Sequence, residues 1–346
     1  MRAATLTAGR GERQRPAALL LHWAAALGCR TGRMADMRST FTAVSYGQSL
    51  PPAALEQVRR TLAGCGARVL EEESASRPGY EISVMELAAD GPVDVRQIRS
   101  SLAAVCTEGP NTAKIGTAGI GTAGIDTAVV PAALRRAARK LIVLDVDSTL
   151  IQQEVIELLA AHAGTEAEVA AVTEAAMRGE LDFAQSLYAR VATLAGLPDT
   201  VLAQVSGAIK LSKGADRLVR VARAAGHVVG AVSGGFSQLL SPLSEALHLD
   251  YAVANELEIV DGVLTGRVLG AVVDRAAKAV SLRQWARNAG IELSCTVAIG
   301  DGANDLDMME AAGLSIAYNA KPAVRAAADA QINLPDLDVA LVLAGI

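Results

Sequence analysis

The chain has 346 residues, a length that suits two domains with an additional segment. Apolar residues make up 51 % and aromatics 3 %, so the core must come from Ala, Val, Leu and Ile, the composition of parallel sheets covered by helices. A net charge of −5 gives no summed field that draws a polyanion, and no nucleic-acid partner is expected.

The chain opens with Arg2, Arg10, Arg13 and Arg15 ahead of a short apolar run from Pro16 to Cys29. That order resembles a signal peptide, and the run is too short to span a membrane. The competing reading makes residues 1–37 an unstructured extension, with Met34 or Met37 as the start of the protein proper. No other stretch reads as a membrane span. Cys29, Cys65, Cys106 and Cys295 have no C-x-x-C spacing, which argues against a zinc or redox motif. Cys65, Cys106 and Cys295 lie in apolar runs and read as small core residues. A reducing, cytoplasmic setting is expected.

From Thr40 the pattern becomes regular. It predicts a strand over Phe41–Tyr46, a helix over Pro52–Cys65 and a short strand over Val69–Glu73. A turn follows at Arg77-Pro78-Gly79, then a strand over Tyr80–Leu87, a helix over Val95–Val105 and a strand near Ile125–Val130. The order β-α-β-β-α-β is that of ferredoxin-like folds. In its order and position this module, residues 38–131, resembles an ACT domain, which implies an amino-acid effector or a homodimer contact there. Inside it Ile115-Gly116-Thr117-Ala118-Gly119 repeats as Ile120-Gly121-Thr122-Ala123-Gly124. No P-loop Lys follows and no helix opens, so the repeat reads as an expanded loop rather than a phosphate cradle.

From Leu141 the period changes. Apolar strands are predicted at Leu141–Leu144, Val228–Val232, Tyr251–Ala254, Val297–Ile299 and Leu314–Ala317, most of them separated by helical stretches. This is an α/β pattern, a Rossmann-like parallel sheet with crossover helices, over residues 132–346. Glu258–Arg267 reads as a hairpin turning at Asp261-Gly262. Residues 152–211 are almost wholly helical; inserted after the first strand, they form a candidate cap over the carboxyl ends of the strands.

Three strand ends carry polar clusters. Asp145-Val146-Asp147-Ser148-Thr149 follows the first strand; by itself it is either a charged site or a polar turn with Asp and Ser capping a helix. Ser233-Gly234-Gly235 follows the second; its hydroxyl and amides suit phosphate oxygens, and equally a simple turn. Gly300-Asp301-Gly302-Ala303-Asn304-Asp305 offers carboxylate and amide oxygens to a hard cation, but lacks an EF-hand frame. Lys278, on a helix before that segment, would by itself read as a surface charge.

Taken in order, Asp-x-Asp, Ser-Gly, Lys and Gly-Asp-x-x-x-Asp resemble the haloacid dehalogenase superfamily and, within it, the phosphoserine phosphatases. The resemblance runs from about Arg139 to the end. It extends to Glu154-Val155-Ile156-Glu157, Met177-Arg178-Gly179-Glu180-Leu181-Asp182-Phe183 and Ala254-Asn255-Glu256-Leu257. It implies a phosphoric monoester hydrolase with Asp145 as covalent nucleophile and Asp147 as general acid and base. It further implies Mg²⁺ held by Asp145, Asp301 and the backbone carbonyl of Asp147. Ser233, the Gly234 amide and Lys278 would hold phosphate oxygens. Asp305 would orient Lys278, and Asn304 would touch the phosphate or the metal shell. Glu154 would receive a substrate ammonium, Arg190 a substrate carboxylate, and Met177 and Phe183 would form an apolar wall. The implied substrate is O-phospho-L-serine. Transfer to another acceptor such as homoserine, or an amino-acid sensor with an inactive core, are the alternatives. The chain departs from the family in two places. Ser212-Lys213-Gly214 stands where relatives commonly carry Pro-Gly after the cap, and one ACT-like module is discernible where relatives often have two.

Overall fold

The N-terminal strands bury side chains on both faces of their sheet. The computed structural model describes residues 39–89, 94–107 and 125–346. The expectations for residues 1–37, for the glycine-rich repeat and for the side chain of Cys106 lie outside the described residues. Strands β1 (Ser39–Gly47), β2 (Ala67–Arg77), β3 (Tyr80–Ala89) and β4 (Ile125–Pro131) form an antiparallel sheet in the order β2-β3-β1-β4. With the helices Pro52–Gly64 and Val95–Thr107 this is the β-α-β-β-α-β arrangement. Pro52 starts the first helix, where a missing N–H costs nothing, and Leu55, Val58 and Leu62 are spaced to share one face. That face packs on Ala43, Met85, Leu87 and Val129. The opposite side of the same strands, with Val44, Tyr46, Ile82, Ala128 and Val130, joins the hydrophobic cluster of the C-terminal part. Successive strand residues point to opposite faces, so one sheet serves two cores.

β2 is longer than expected, running through polar residues to Arg77. Its ladder with β3 continues to Arg77↔Tyr80, so backbone pairing extends the strand where side-chain periodicity gives no signal.

The second sheet has seven strands: β5 (Leu141–Leu144), β6 (Val228–Phe236), β7 (Tyr251–Val260), β8 (Val263–Leu269), β9 (Thr296–Gly300), β10 (Leu314–Tyr318) and β11 (Ala330–Ile332). The order is β11-β10-β9-β5-β6-β7-β8, parallel except for the β7–β8 hairpin. All four residues of β5 are buried, because helices cover both sides of a parallel sheet. β11 was not predicted; three residues carry too little periodicity to register. The chain leaves β5 toward β6 on one side and later returns to β9 on the other. The crevice at the carboxyl ends of β9, β5 and β6 is therefore the topological switch point.

Four helices, Val155–Ala163, Glu166–Met177, Phe183–Ala192 and Thr200–Ala208, form the cap. It hangs on two antiparallel linkers, with Ile151 bridged to Leu211 and the amides of Gln152 and Ser212 donating to Lys210 O (2.9 Å) and Leu150 O (3.0 Å). Gly214, just past the second linker, has φ +83°, and a Cβ there would lie 2.5 Å from the Asp338 carboxylate. Glycine is required there on both counts.

The N-terminal sheet docks on the C-terminal segment. Asn333 donates from its backbone and side-chain amides to Asp126 on β4 (3.1 and 2.9 Å). Tyr80 donates to Asp338 (3.3 Å), Arg217 pairs with Asp338 (3.4 Å) and Lys213 with Asp336 (2.8 Å). Arg99 pairs with Asp329, and Tyr46 donates to Gln331 O. Cys65 and Cys295 are free and half-buried, packed at the margins of their cores rather than inside them. Among the described residues no helix is long and apolar enough to cross a membrane.

Candidate active site

Asp145 leaves the end of β5, where its amide donates to Ile299 O of β9 at 2.9 Å. Its Oδ1 accepts from the Val146 amide and from Lys278 Nζ, both at 2.7 Å. Lys278 lies on the helix Arg275–Ala289, whose start is fixed by Asp274 accepting from the Ala277 amide at 2.8 Å. It is 0 % exposed, so reading this lysine in isolation as a surface charge is wrong. The ammonium also meets Asp305 Oδ1 at 2.7 Å. Asp305 Oδ2 accepts from the amides of Asp301 (3.2 Å) and Gly302 (3.1 Å), so that carboxylate is committed to holding the loop and the lysine.

Carboxylate oxygens of Asp145, Asp301 and Asp305 come within 4.8 Å of one another. Lys278 pairs with two of these carboxylates, Asp145 and Asp305, while Asp301 has, among the described residues, only the Thr149 hydroxyl as a side-chain donor. Burial, then the neighbouring Asp305, push Asp145 well above the usual carboxylate range, against the pull of Lys278. Burial and Asp305 raise Asp301 to about 6. Burial alone would weaken the Lys278 charge, but Asp145 and Asp305 outweigh it and hold the ammonium above its ordinary value. A bound cation would relieve this surplus, and the all-oxygen donors suit a hard divalent ion. Because Asp305 is tied to Lys278 and two amides, Asp145 and Asp301 are the better placed pair.

Asp147 lies two residues beyond Asp145, in extended backbone. Its Oδ1 accepts from the Val155 amide at 2.9 Å, the first residue of the cap, and its Oδ2 from Ser233 Oγ at 3.3 Å. Burial, then the nearby Glu154, raise it to about 7. This second carboxylate is therefore a helix-start acceptor as well as a member of the charged cluster; the two readings of the Asp-x-Asp segment are not exclusive. Ser148 occupies φ 55° and donates to Glu154 at 2.7 Å. Thr149 donates to Asp301 at 3.2 Å. Neither contact was predicted. The only signal was their place directly after the two aspartates.

Ser233-Gly234-Gly235 lies where β6 slips out of register with β7, between Val232 and Phe236. The segment bulges from the ladder, and the Gly235 amide donates to Ser233 Oγ at 2.8 Å. A Cβ on Gly234 would lie 2.9 Å from the Phe183 ring, so glycine lets the cap's aromatic residue close on this turn. Phe183 begins a helix capped by Asp182, whose carboxylate accepts from the Gln185 amide at 2.8 Å. Arg190, in the last turn of that helix, donates through Nε to Ser186 O at 3.2 Å. Burial lowers its pKa, offset by the charges of Glu154, Asp147 and Glu157. Asn304 is half-buried in the turn Ala303–Asp305. Met177 closes its cap helix, and its side chain lies outside the described residues.

The structure therefore gathers Asp145, Asp147, Ser233, Lys278, Asp301 and Asp305 at one strand-end crevice, with Glu154, Phe183 and Arg190 brought over it by the cap.

The family model described as haloacid dehalogenase-like hydrolase matches residues 142–310. A phosphoserine phosphatase of Streptomyces coelicolor is 55 % identical over 77 % of this chain; the aligned part spans 62 % of that protein. A phosphoserine phosphatase of Mycobacterium tuberculosis is 46 % identical over 89 % of this chain and 72 % of its own length. The crystal structure of a probable phosphoserine phosphatase from Vibrio cholerae covers 87 % of this chain and 88 % of its own, with 38 % identity and a TM-score of 0.65. With a relative this similar aligned over most of both lengths, the chain belongs to the haloacid dehalogenase-like hydrolases, in the branch that holds these phosphoserine phosphatases.

Proposed function

We propose that the protein is a Mg²⁺-dependent phosphoserine phosphatase that hydrolyses O-phospho-L-serine to L-serine and phosphate, the last step of L-serine synthesis in the cytoplasm. The observation that carries this reading is the meeting of Asp145 and Lys278 at 2.7 Å beside the Ser233–Gly235 bulge, under a cap that brings Glu154 and Arg190. The relatives' names support the substrate.

In the first half-reaction an oxygen of Asp145 attacks phosphorus while the bond to the serine oxygen breaks. Asp147 gives that oxygen its proton. In the second, water attacks the aspartyl-phosphate, its proton passes to Asp147, and the Asp145 carboxylate departs. Splitting the displacement in two replaces one hard step with two easier ones. Lys278, Ser233 and the Gly234 amide face the remaining phosphate oxygens and stabilise their charge, as fixed donors in a water-poor site do. Asp305 holds Lys278 in place, and Asn304 lies beside the phosphate or the metal shell. The side chains of Asp145 and Asp301 and the carbonyl of Asp147 would hold Mg²⁺, which when bound offsets repulsion between an anionic nucleophile and an anionic substrate.

Selectivity rests on the cap. Glu154 receives the ammonium, Arg190 grips the carboxylate with its planar fork, and Met177 and Phe183 exclude water on closure. On the same reading the N-terminal module, residues 38–131, is ACT-like and offers a place for an amino-acid effector or a homodimer contact.

The test is phosphate release with Mg²⁺ from phosphoserine, phosphothreonine and p-nitrophenyl phosphate, with homoserine added as a rival acceptor. Preference for phosphoserine, with phosphate as product, is expected. No release from phosphoserine, with serine still bound, would leave a sensor instead of an enzyme.

A further inference from the structure

Asn255 lies in the Ala254-Asn255-Glu256-Leu257 segment, and none of the roles above uses it. It is 1 % exposed, and both ends of its amide are spent on distant backbone. Its Nδ2 donates to Gly234 O at 2.8 Å, and its Oδ1 accepts from the Val273 amide at 2.7 Å.

Each contact leads into the site. The Gly234 carbonyl shares a rigid peptide plane with the Gly235 amide. That amide donates to Ser233 Oγ at 2.8 Å, and Ser233 in turn reaches Asp147 Oδ2 at 3.3 Å. Fixing the carbonyl therefore fixes the serine hydroxyl. At this point β6 has slipped out of register with β7, and pairing resumes at Phe236↔Asn255. The Asn255 side chain takes the place of the missing ladder bond. On the other side, Val273 directly precedes Asp274, the cap of the helix Arg275–Ala289, and Asp274 O accepts from the Lys278 amide at 3.0 Å. One buried side chain thus ties the bulge that carries Ser233 to the helix that carries Lys278.

We infer that Asn255 is a positioning residue for phosphoryl transfer: it sets the spacing between the Ser233–Gly235 cradle and Lys278, and acts on the phosphate end of the substrate alone. This rests on the phosphatase reading. The cap groups Glu154 and Arg190 belong to other elements, so the amino-acid end of the substrate does not depend on Asn255.

The test uses the full chain with Mg²⁺ and compares N255S with the parent. Serine is too short to span both partners. Calorimetric titration with inorganic phosphate should weaken about tenfold, the usual effect of one lost buried hydrogen bond. The inhibition constant of L-serine should stay within about twofold, while kcat falls about tenfold or more by the same reasoning. A purely structural role would lower the melting temperature and the active fraction but leave phosphate affinity of the folded protein unchanged, and that result overturns the inference. Should N255S not fold, Asn255→Asp keeps the volume and the acceptor for Val273 but has no donor for Gly234. Unchanged phosphate affinity there overturns the inference equally. Failure of the parent chain to bind phosphate or cleave phosphoserine would instead remove the phosphatase reading.

Discussion

Two acidic clusters lie on the C-terminal part of this protein, and they are balanced in opposite ways. At the seam with the N-terminal sheet, Asp336 and Asp338 each have a cation of their own, Lys213 and Arg217, and Tyr80 adds a donor to Asp338. Those cations are partly exposed, with side chains at 57 % and 26 %. At the strand ends, Asp145, Asp301 and Asp305 lie together, but the wholly buried Lys278 pairs only with Asp145 and Asp305. In the first cluster each carboxylate has a cation from the same part of the chain, and Tyr80 ties Asp338 to the N-terminal sheet. The second is left short of positive charge, and that shortage is what a cation and a phosphoryl group can exploit. Buried carboxylates mark a working site only when their charge is unmatched.

The largest expected effect breaks the unmatched cluster at its centre. Asp145→Asn should cut turnover by roughly 10⁴-fold or more, the scale of removing a covalent nucleophile, and abolish capture of beryllium fluoride. Retained turnover in a steady-state assay would sink the covalent mechanism. Arg190→Ala should lower kcat/KM for phosphoserine about 100-fold, as for a lost charge-assisted pair, but p-nitrophenyl phosphate by only about threefold. Equal losses on both substrates would take Arg190 out of specificity.

Metal separates the clusters directly. Mg²⁺ should raise the thermal midpoint by an amount equivalent to about 2–3 kcal/mol at a hundredfold excess over its dissociation constant, and EDTA should reverse it. In Asp301→Asn that response should vanish, and in Asp338→Asn it should persist; a scan showing the reverse would exchange the roles of the clusters. Asp338→Asn itself should cost about 1–2 kcal/mol in a urea titration, the range for weakening a buried charged hydrogen bond, with kcat within about twofold.

The smallest effect is a slope. Burial raises the Asp126 pKa from 3.8 to about 6, partly offset by the two Asn333 donors. The folded state then holds a proton that the unfolded state has released, so stability should fall as pH rises from 3.8 to about 6. Urea midpoints across that window should decline for the parent chain and decline less steeply in Asp126→Asn, the remaining slope coming from the raised carboxylates of the strand-end cluster. An unchanged slope in the variant would assign the pH response to other groups.

Much of the molecule was legible from residues alone. The apolar run Leu141–Leu144 and its successors gave the parallel sheet, alternation gave β1, and the regular pattern from Thr40 gave β3 and β4, because side-chain period is a local property of the backbone. β2 beyond Glu73 and all of β11 escaped, since partner strands hold them. The strand-end aspartates and Ser233 stood out as polar residues at the ends of apolar strands. Lys278 did not, for nothing local tells a buried helix lysine from a solvated one.

What the sequence by itself determined, then, is the order of elements and the chemical kinds of group at three strand ends. Tertiary structure decided which of those groups are matched. It set Lys278 between Asp145 and Asp305 and left Asp301 without an ammonium of its own. It assigned Asp336 and Asp338 to Lys213 and Arg217, and spanned the β6 bulge with Asn255. Charge balance depends on distances of a few ångströms between residues far apart in the chain, and only packing sets those distances.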